Sequence, residues 1–325
     1  PCEENGKNPA CCGESATASR EKSATVSCGA EGAGKNIACP AFCGFLKGNE
    51  ISSDPVAGEA DVLRGGRRTA LFFDPRVLTA LSDGERAFFD IRFVPAWRFA
   101  EAGGAANGVA VPPVVFPSEV GAVREMLFAA KAGGARFALV GNPGAVPFAE
   151  EAGLTPVGDF RLNVTNTDAA KVFSGQGIAA QILSAELTAP AVRDLCRRSP
   201  QIAFGAIVYG RIPLMLTERC FMKENFGCGK CGTCALDDRR GAAFPMMREY
   251  PHRNLIFNAA YTYLCDRPGD TAPLAFSHYL FTTERPAEVG EVIAAAKRHA
   301  PFPLAGAVRR MGRRDPEPAE KTKKK

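Results

Sequence analysis

The stretch SEVGAVREMLFAAKAGGARFALV, residues 118–140, contains one complete unit of the pattern that decides the fold. Ser118 is a typical helix N-cap, and Gly133 with Gly134 is a typical helix end. Between them, apolar residues recur at the spacing of one helical face: Val120, Val123, Leu127 and Ala130. The apolar run 136–140 that follows is typical of a buried strand. The stretch therefore predicts a helix followed by a strand of a parallel sheet.

The same alternation of short apolar runs and amphipathic stretches extends from residue 67 to residue 211. The predicted strands are residues 91–95, 108–115, 136–140, 156–164, 178–183 and 203–209. A second helix is predicted over residues 188–197. These units are too few for a complete eight-stranded barrel. We therefore expect an α/β fold with a partial TIM-barrel-like (β/α) arc, whose missing upstream units precede Pro1.

The chain divides by composition into four segments. Residues 1–66 are rich in Cys, Gly and Ser without periodicity, and we expect a disordered linker there. Residues 67–217 form the (β/α) barrel-like portion. Residues 218–308 form a Cys-containing, β-rich C-terminal region with a final helix over residues 286–299. Residues 309–325 form a basic tail that we expect to be disordered.

The overall composition indicates a globular protein of the cytoplasm. The chain has 325 residues, 46% of them hydrophobic, and a net charge of +5. No apolar run is long enough to span a membrane, and the first residues lack the order of a signal peptide. Much of the positive charge is C-terminal: Arg309, Arg310, Arg313, Arg314, Lys321, Lys323, Lys324 and Lys325. Such a tail can add non-specific affinity for nucleic acid.

Apart from Cys196, the twelve cysteines fall into two groups. The first group lies in the unpatterned segment: Cys2, Cys11, Cys12, Cys28, Cys39 and Cys43. The second group is dense: Cys220, Cys228, Cys231, Cys234 and Cys265. Thiols at two-residue spacing suit zinc or an iron–sulfur cluster, because the short turn lets two sulfurs reach one metal. Single members such as Cys234 or Cys265 fit the role of a buried apolar residue equally well.

The run VYGRIPLMLTERC, residues 208–220, resembles the signature of the collagenase-like peptidase family U32. The resemblance continues through Asp238-Arg239, Phe244-Pro245 and His252-Arg253-Asn254, and upstream through residues 159–163. It implies a TIM-barrel-like catalytic domain whose cysteine segment leaves the C-terminal edge of a barrel strand. It also implies one of two activities: proteolysis of collagen-like or denatured peptides, or iron–sulfur-dependent hydroxylation of RNA pyrimidines or quinone precursors.

The resemblance also assigns candidate site residues. Three cysteines match the cluster ligands of the family, namely Cys220, Cys228 and Cys231, with Cys265 as the fourth ligand and Cys234 as its alternative. They would hold a 4Fe-4S cluster, with zinc as the alternative metal. Polar residues at the predicted strand ends and in the cysteine segment are the catalytic candidates: Glu186, Tyr209, Arg211, Glu218 and His252.

Three functions follow from these residues. A peptidase would use Cys220 as nucleophile and His252 as its base, which leaves the other clustered thiols without a role. An iron–sulfur enzyme uses those thiols, and the sequence favours this function, with tRNA or rRNA as the substrate. A non-catalytic scaffold with structural zinc is the third possibility, because a closed four-cysteine site leaves no open position for chemistry.

Overall fold

Eight parallel strands close into a barrel in the part of the chain that the computed structural model describes, residues 63–227 and 234–309. The barrel strands are β1 (Arg67–Phe72), β2 (Ile91–Pro95), β3 (Gly108–Ala110), β4 (Phe137–Val140), β5 (Thr155–Gly158), β6 (Ala180–Ile182), β7 (Ala203–Gly210) and β13 (Phe276–Phe281). β1 to β7 pair in chain order, and β13 pairs in parallel with both β1 and β7. The TIM-barrel-like α/β class is therefore confirmed, and the barrel is complete where the sequence indicated only an arc.

The last barrel strand comes from the region that the sequence pattern assigned to a separate β-rich part. β13 lies within the apolar run 274–281, and an insertion separates it from β7. Leu280 on β13 belongs to the core that fills the barrel interior. Phe281 stacks on Phe72 of β1, with 4.8 Å between the ring centroids. The barrel therefore closes through residues distant in sequence, not through units that precede Pro1.

Most of the helices follow barrel strands, and the helix at Phe221–Phe226 lies in the insertion between β7 and β13. The helices are α1 (Pro75–Ala80), α2 (Asp83–Arg86), α3 (Val120–Ala132), α4 (Val146–Glu151), α5 (Thr167–Gly175), α6 (Ala189–Arg198), α7 (Phe221–Phe226), α8 (Pro268–Thr271) and α9 (Pro286–Lys297). α3 follows a 3-10 turn at Pro117–Glu119 and buries Val123, Leu127 and Ala130, three of the four residues of the predicted face. The fourth, Val120, is half-buried. No helix in the described ranges is long and apolar enough to cross a bilayer.

Two barrel strands are shorter than their sequence pattern predicted. β3 ends at Ala110, two residues before Pro112 and Pro113, which carry no backbone N–H for strand pairing. β5 ends at Gly158, and a 3-10 turn at Phe160–Leu162 follows it. Both interruptions lie at the C-terminal ends of the strands, where loops carry the polar residues.

The insertion between β7 and β13 forms a four-stranded antiparallel sheet, here called the capping sheet. Its strands are β8 (Pro213–Thr217), β9 (Cys234–Asp237), β10 (Ala243–Glu249) and β11 (Arg253–Phe257), in the order β8-β11-β10-β9. The chain then returns along β7 as β12 (Tyr261–Tyr263), which also pairs with β14 (Val308–Arg309). The predicted linker and basic tail lie almost wholly outside the described residues.

The capping sheet covers the C-terminal mouth of the barrel. Met247, Leu255 and Phe257 on its inner face join the core that fills the barrel interior. Phe257 packs edge-on against Phe73, which directly follows β1, with 5.1 Å between the ring centroids. Because TIM-barrel enzymes place their active sites at this end, the sheet lies over the expected catalytic face.

Candidate functional site

The capping sheet has two faces of different character. Its register pairs Met246 with Ile256 and Met247 with Leu255 across β10 and β11. Side chains alternate between faces along a strand, so Met246 and Ile256 lie on the outer face while Met247 and Leu255 face the barrel. The outer face carries a small core of its own, which contains two of the candidate ligands.

Cys220 and Cys234 meet in this outer core. Cys220 follows β8 and is buried, and it packs with Met246 and Ile256. Cys234 begins β9 opposite Met246 and packs against the same cluster. The side chain of Asn254 binds Cys220 and the residue after it. Its Nδ2 donates to Cys220 Sγ at 3.5 Å, and its Oδ1 accepts from Phe221 N at 2.8 Å. Cys228 and Cys231 lie outside the described residues, in the segment between α7 and β9.

Cys265 belongs to a different part of the molecule. Its Sγ lies 3.7 Å from the Tyr279 hydroxyl and 3.8 Å from the carbonyl oxygen of Val208. It packs in the core outside the barrel wall, and burial raises the pKa of its thiol to about 11. The structure therefore does not bring Cys265 to Cys220. Among the described side chains, no group of three His, Cys, Asp or Glu residues has the arrangement of a metal site.

His252 and Cys220 do not form the hydrogen-bonded pair that a peptidase dyad requires. His252 is exposed, and desolvation together with the charges of Arg248 and Lys223 lowers the pKa of its imidazole. Within residues 63–227 and 234–309, no hydrogen bond joins this imidazole to the Cys220 thiol, which accepts from Asn254 instead. The structure brings both residues to the same sheet without pairing them.

Glu218 is bound by Arg253. Arg253 belongs to the segment His252-Arg253-Asn254 that resembles the family, but the sequence did not predict a role for it. Arg253 is 1% exposed and donates to Glu218 through Nε at 2.6 Å and through Nη2 at 3.3 Å. The same guanidinium reaches Glu119 at 2.8 Å and the carbonyl oxygens of Val114 and Tyr250. Arg253 thus ties the capping sheet to the loop after β3.

Tyr209 and Arg211 take part in two buried contacts at the end of β7. The Tyr209 hydroxyl donates to Glu284 Oε1 at 3.0 Å, and burial raises the pKa of both groups. Arg211 lies over the Tyr261 ring at 3.9 Å and donates to the carbonyl oxygens of Asn258 and Ala259. Glu186, by contrast, is exposed at the rim after β6. Of the five predicted catalytic residues, the structure brings Tyr209 and Arg211 together at the end of β7 and does not join Glu186, Glu218 or His252 to them.

A buried polar group beneath the capping sheet was not predicted from the sequence. Glu249 Oε1 accepts from Trp97 Nε1 at 3.1 Å and from Tyr250 N at 2.8 Å, and burial raises the pKa of this carboxyl. Arg161, which forms an ion pair with Asp159, lies near the Glu249 carboxyl. The sequence offered one indication of this polar group, the position of Asp159 directly after a strand. Trp97 and Glu249 are 152 residues apart, and their contact could not be predicted from a local pattern.

A buried histidine, His278 on β13, faces the barrel interior. Thr69 Oγ1 and His278 Nδ1 are 2.7 Å apart, and burial lowers the pKa of the imidazole to about 3. Its Nε2 makes no hydrogen bond within the described chain. His278 sits inside an apolar run, and for this reason the sequence pattern gave no sign of a polar role.

Comparison with known proteins identifies the family but not the activity. The putative copper homeostasis protein CutC from Streptococcus agalactiae is 11% identical, with a TM-score of 0.39 over 66% of this chain and 98% of that protein. The aldolase QR15 is 13% identical, with a TM-score of 0.31 over 43% of this chain and 78% of its own. No curated protein matches the sequence. The family model of Peptidase family U32 matches residues 85–258, more than half of the chain, and the protein therefore belongs to this family.

Proposed function

We propose that this protein is an iron–sulfur enzyme of the U32 family that hydroxylates a pyrimidine base of RNA. The observation that carries the proposal is the meeting of Cys220 and Cys234 in one small core on the outer face of the capping sheet. These two residues bracket the segment that holds Cys228 and Cys231. The proposed ligand set is therefore Cys220, Cys228, Cys231 and Cys234.

Chain connectivity supports this set. Cys231 precedes Cys234 by three residues, so their Cα atoms are at most about 10 Å apart. Cys228 directly follows Gly227 at the end of α7, the helix that begins after Cys220. Soft thiolates at this spacing are the donors that iron–sulfur clusters use. The proposal takes Cys234 rather than Cys265 as the fourth ligand, because Cys265 packs in a different core from Cys220.

The surroundings of Cys220 suit a cluster ligand better than a nucleophile. The Asn254 amide donates to Cys220 Sγ, and such hydrogen bonds from neighbouring side chains orient metal ligands and tune the metal. A bound cluster would supply one-electron transfer, while a co-substrate would supply the oxygen atom and accept the electrons that the hydroxylated base loses. Arg248 and Lys223 lie near His252, whose imidazole pKa their charges lower, and they contribute positive charge for a nucleic-acid backbone.

RNA is the proposed substrate because the family resemblance and the basic residues favour it. A peptidase would need Cys220 free and activated by His252, and the contacts of Cys220 favour a different role. A zinc scaffold would use the same four thiols, and only the identity of the metal separates it from the proposal.

Anaerobic purification followed by iron, sulfide and zinc analysis and absorption spectroscopy tests the cluster. We expect iron with sulfide in the wild-type protein, its loss in Cys234→Ala, and its retention in the matched variant Cys265→Ala. Full iron in Cys234→Ala, or loss of iron in Cys265→Ala, would contradict the proposed ligand set. Zinc without sulfide would favour the scaffold.

Mass spectrometry of RNA nucleosides tests the reaction. We expect pyrimidine nucleosides to gain one oxygen atom in cells that produce the wild-type protein, but not in cells that produce Cys228→Ala. A denatured-collagen peptide serves as the competing substrate. Hydrolysis of that peptide by iron-free protein, blocked by thiol alkylation, would overturn the proposal in favour of a peptidase.

A further inference from the structure

A cavity away from the capping sheet lies outside the barrel wall. It has a volume of about 340 Å³, and its wall contains Gly66 and Arg68 at the start of β1, Ser277 and Tyr279 of β13, and Val208 of β7. Lys297 at the end of α9 and His299 beyond it complete the rim. The cysteines of the proposed cluster follow the C-terminal end of β7. The cavity is therefore separate from the proposed catalytic face.

Two cations line this cavity without a carboxylate partner. The Arg68 guanidinium lies 4.4 Å from the centroid of the Phe88 ring, and its Nη1 donates to the Phe88 carbonyl oxygen at 3.3 Å. Lys297 Nζ lies 5.6 Å from the same centroid. In the described part of the chain, neither side chain has a carboxylate within 4.0 Å. Cations without a carboxylate partner around one cavity favour the binding of an anion there.

Two of the nearby carboxylates accept hydrogen bonds from groups other than the side chains of Arg68 and Lys297. Asp90 pairs with Arg67 and accepts from the backbone N–H of Arg68. Glu85 accepts hydrogen bonds from Ser82, which lower the pKa of its carboxyl, and the charge of Lys297 makes a smaller contribution in the same direction. The third, Asp266, adjoins Cys265, and its negative charge contributes to the raised pKa of that thiol. None of these three carboxylates is part of the cavity wall.

Neutral polar groups form the rest of the wall. His299 Nδ1 lies 2.9 Å from the carbonyl oxygen of Cys265, and because a carbonyl only accepts, this nitrogen carries the hydrogen. The Nε2 atom of His299 is thereby left for a ligand. The Ser277 hydroxyl makes no hydrogen bond within the described ranges and also lines the cavity. The cavity thus combines a positive end with groups that can bind hydroxyls.

We propose that this cavity binds a small phosphomonoester, such as a phosphorylated sugar. Arg68 and Lys297 hold the phosphate dianion, and Ser277 and His299 bind hydroxyl groups of the polyol. An arginine fork matches phosphate oxygens, and two positive charges match a dianion better than a single carboxylate. The volume lies at the lower end of the range for small-molecule pockets, which sets the ligand size.

Calorimetric titration of the full chain with ribose 5-phosphate, and with unphosphorylated ribose as the matched ligand, tests the proposal. We expect saturable binding of the phosphate ester only, weakened about tenfold or more in Lys297→Gln and in Arg68→Gln. The exposed neighbour variant Arg298→Gln should bind as the wild type does. Lys297 is exposed, so its variant probes the site without disturbing the fold.

Thiol labelling supplies an independent measurement. Cys265 lines this cavity, whereas Cys196, whose pKa burial also raises, lines a different cavity of about 260 Å³. Ribose 5-phosphate should slow the alkylation of Cys265, measured by peptide mass spectrometry, and leave Cys196 unchanged. No saturable binding up to about 10 mM, equal binding by Lys297→Gln, or equal protection of both thiols would overturn the proposal.

Discussion

Replacement of Arg253 by Met should strongly destabilise the protein, because this one side chain connects three segments. The guanidinium is 1% exposed and binds Glu119 and Glu218 together with two backbone carbonyls. Met fills most of the volume of the aliphatic stem but removes every one of these donors. The change therefore tests the ion pairs more than the packing.

The magnitude follows from the burial of each partner. Glu119 is 13% exposed, and removing one member of so buried a pair typically costs about 3–5 kcal/mol because the other charge is left uncompensated. Glu218 is 66% exposed, so its pairing adds at most about 1 kcal/mol. We expect Arg253→Met to lower the free energy of unfolding by about 4 kcal/mol, and Glu218→Gln by at most about 1 kcal/mol.

Urea unfolding measured by circular dichroism and by tryptophan fluorescence tests this expectation. Trp97 is the only tryptophan, and its indole donates to Glu249 on the capping sheet, so its emission reports whether the sheet is docked. Glu119→Gln should partly rescue Arg253→Met, because it removes the uncompensated carboxylate. An unfolding free energy of Arg253→Met within about 1 kcal/mol of the wild type, at an unchanged denaturant slope, would refute the reasoning.

Three further outcomes are expected. Gly210→Ala should lower the unfolding free energy by about 3 kcal/mol or more in urea titrations. The φ of Gly210 is +123°, and the new Cβ would lie 2.1 Å from the carbonyl oxygen of Leu280 on β13. The control Gly84→Ala, which has open space around it, should lower the unfolding free energy by less than about 0.5 kcal/mol. The raised pKa of Glu249 means that the folded state binds its proton more tightly than the unfolded state. The unfolding free energy should therefore fall as pH rises from the ordinary carboxyl pKa through the raised one, and Glu249→Gln should remove that fall. With a pKa of about 3, His278 should show constant imidazole NMR signals from pH about 5 to about 8. A midpoint for His278 in that range would contradict its burial.

The local sequence pattern predicted the units of the fold well. The apolar spacing in residues 118–140 gave the buried face of α3 and the position of β4, and residues 203–209 gave nearly all of β7. These features depend on the periodicity of neighbouring side chains. The predicted class of a (β/α) barrel follows from their alternation.

The closure of the barrel could not be predicted from the local sequence pattern. β13 has the apolar composition of any buried strand, and its partners β1 and β7 lie about 200 and 70 residues upstream. Nothing within the strand says which edge it will pair with. The insertion hid the continuity of the β/α pattern, so the strand was placed in a separate region.

The site shows the same division. The sequence by itself determined that thiols are concentrated at residues 220–265 and that they follow a strand end, because thiol chemistry depends on residue type and spacing. Only the tertiary structure decided that Cys234 packs with Cys220 while Cys265 belongs to another core. It alone also decided that Arg253 binds Glu119 across 134 residues. Such partners are set by sheet register and by the docking of one sheet on the barrel, and these are non-local contacts that no local pattern encodes.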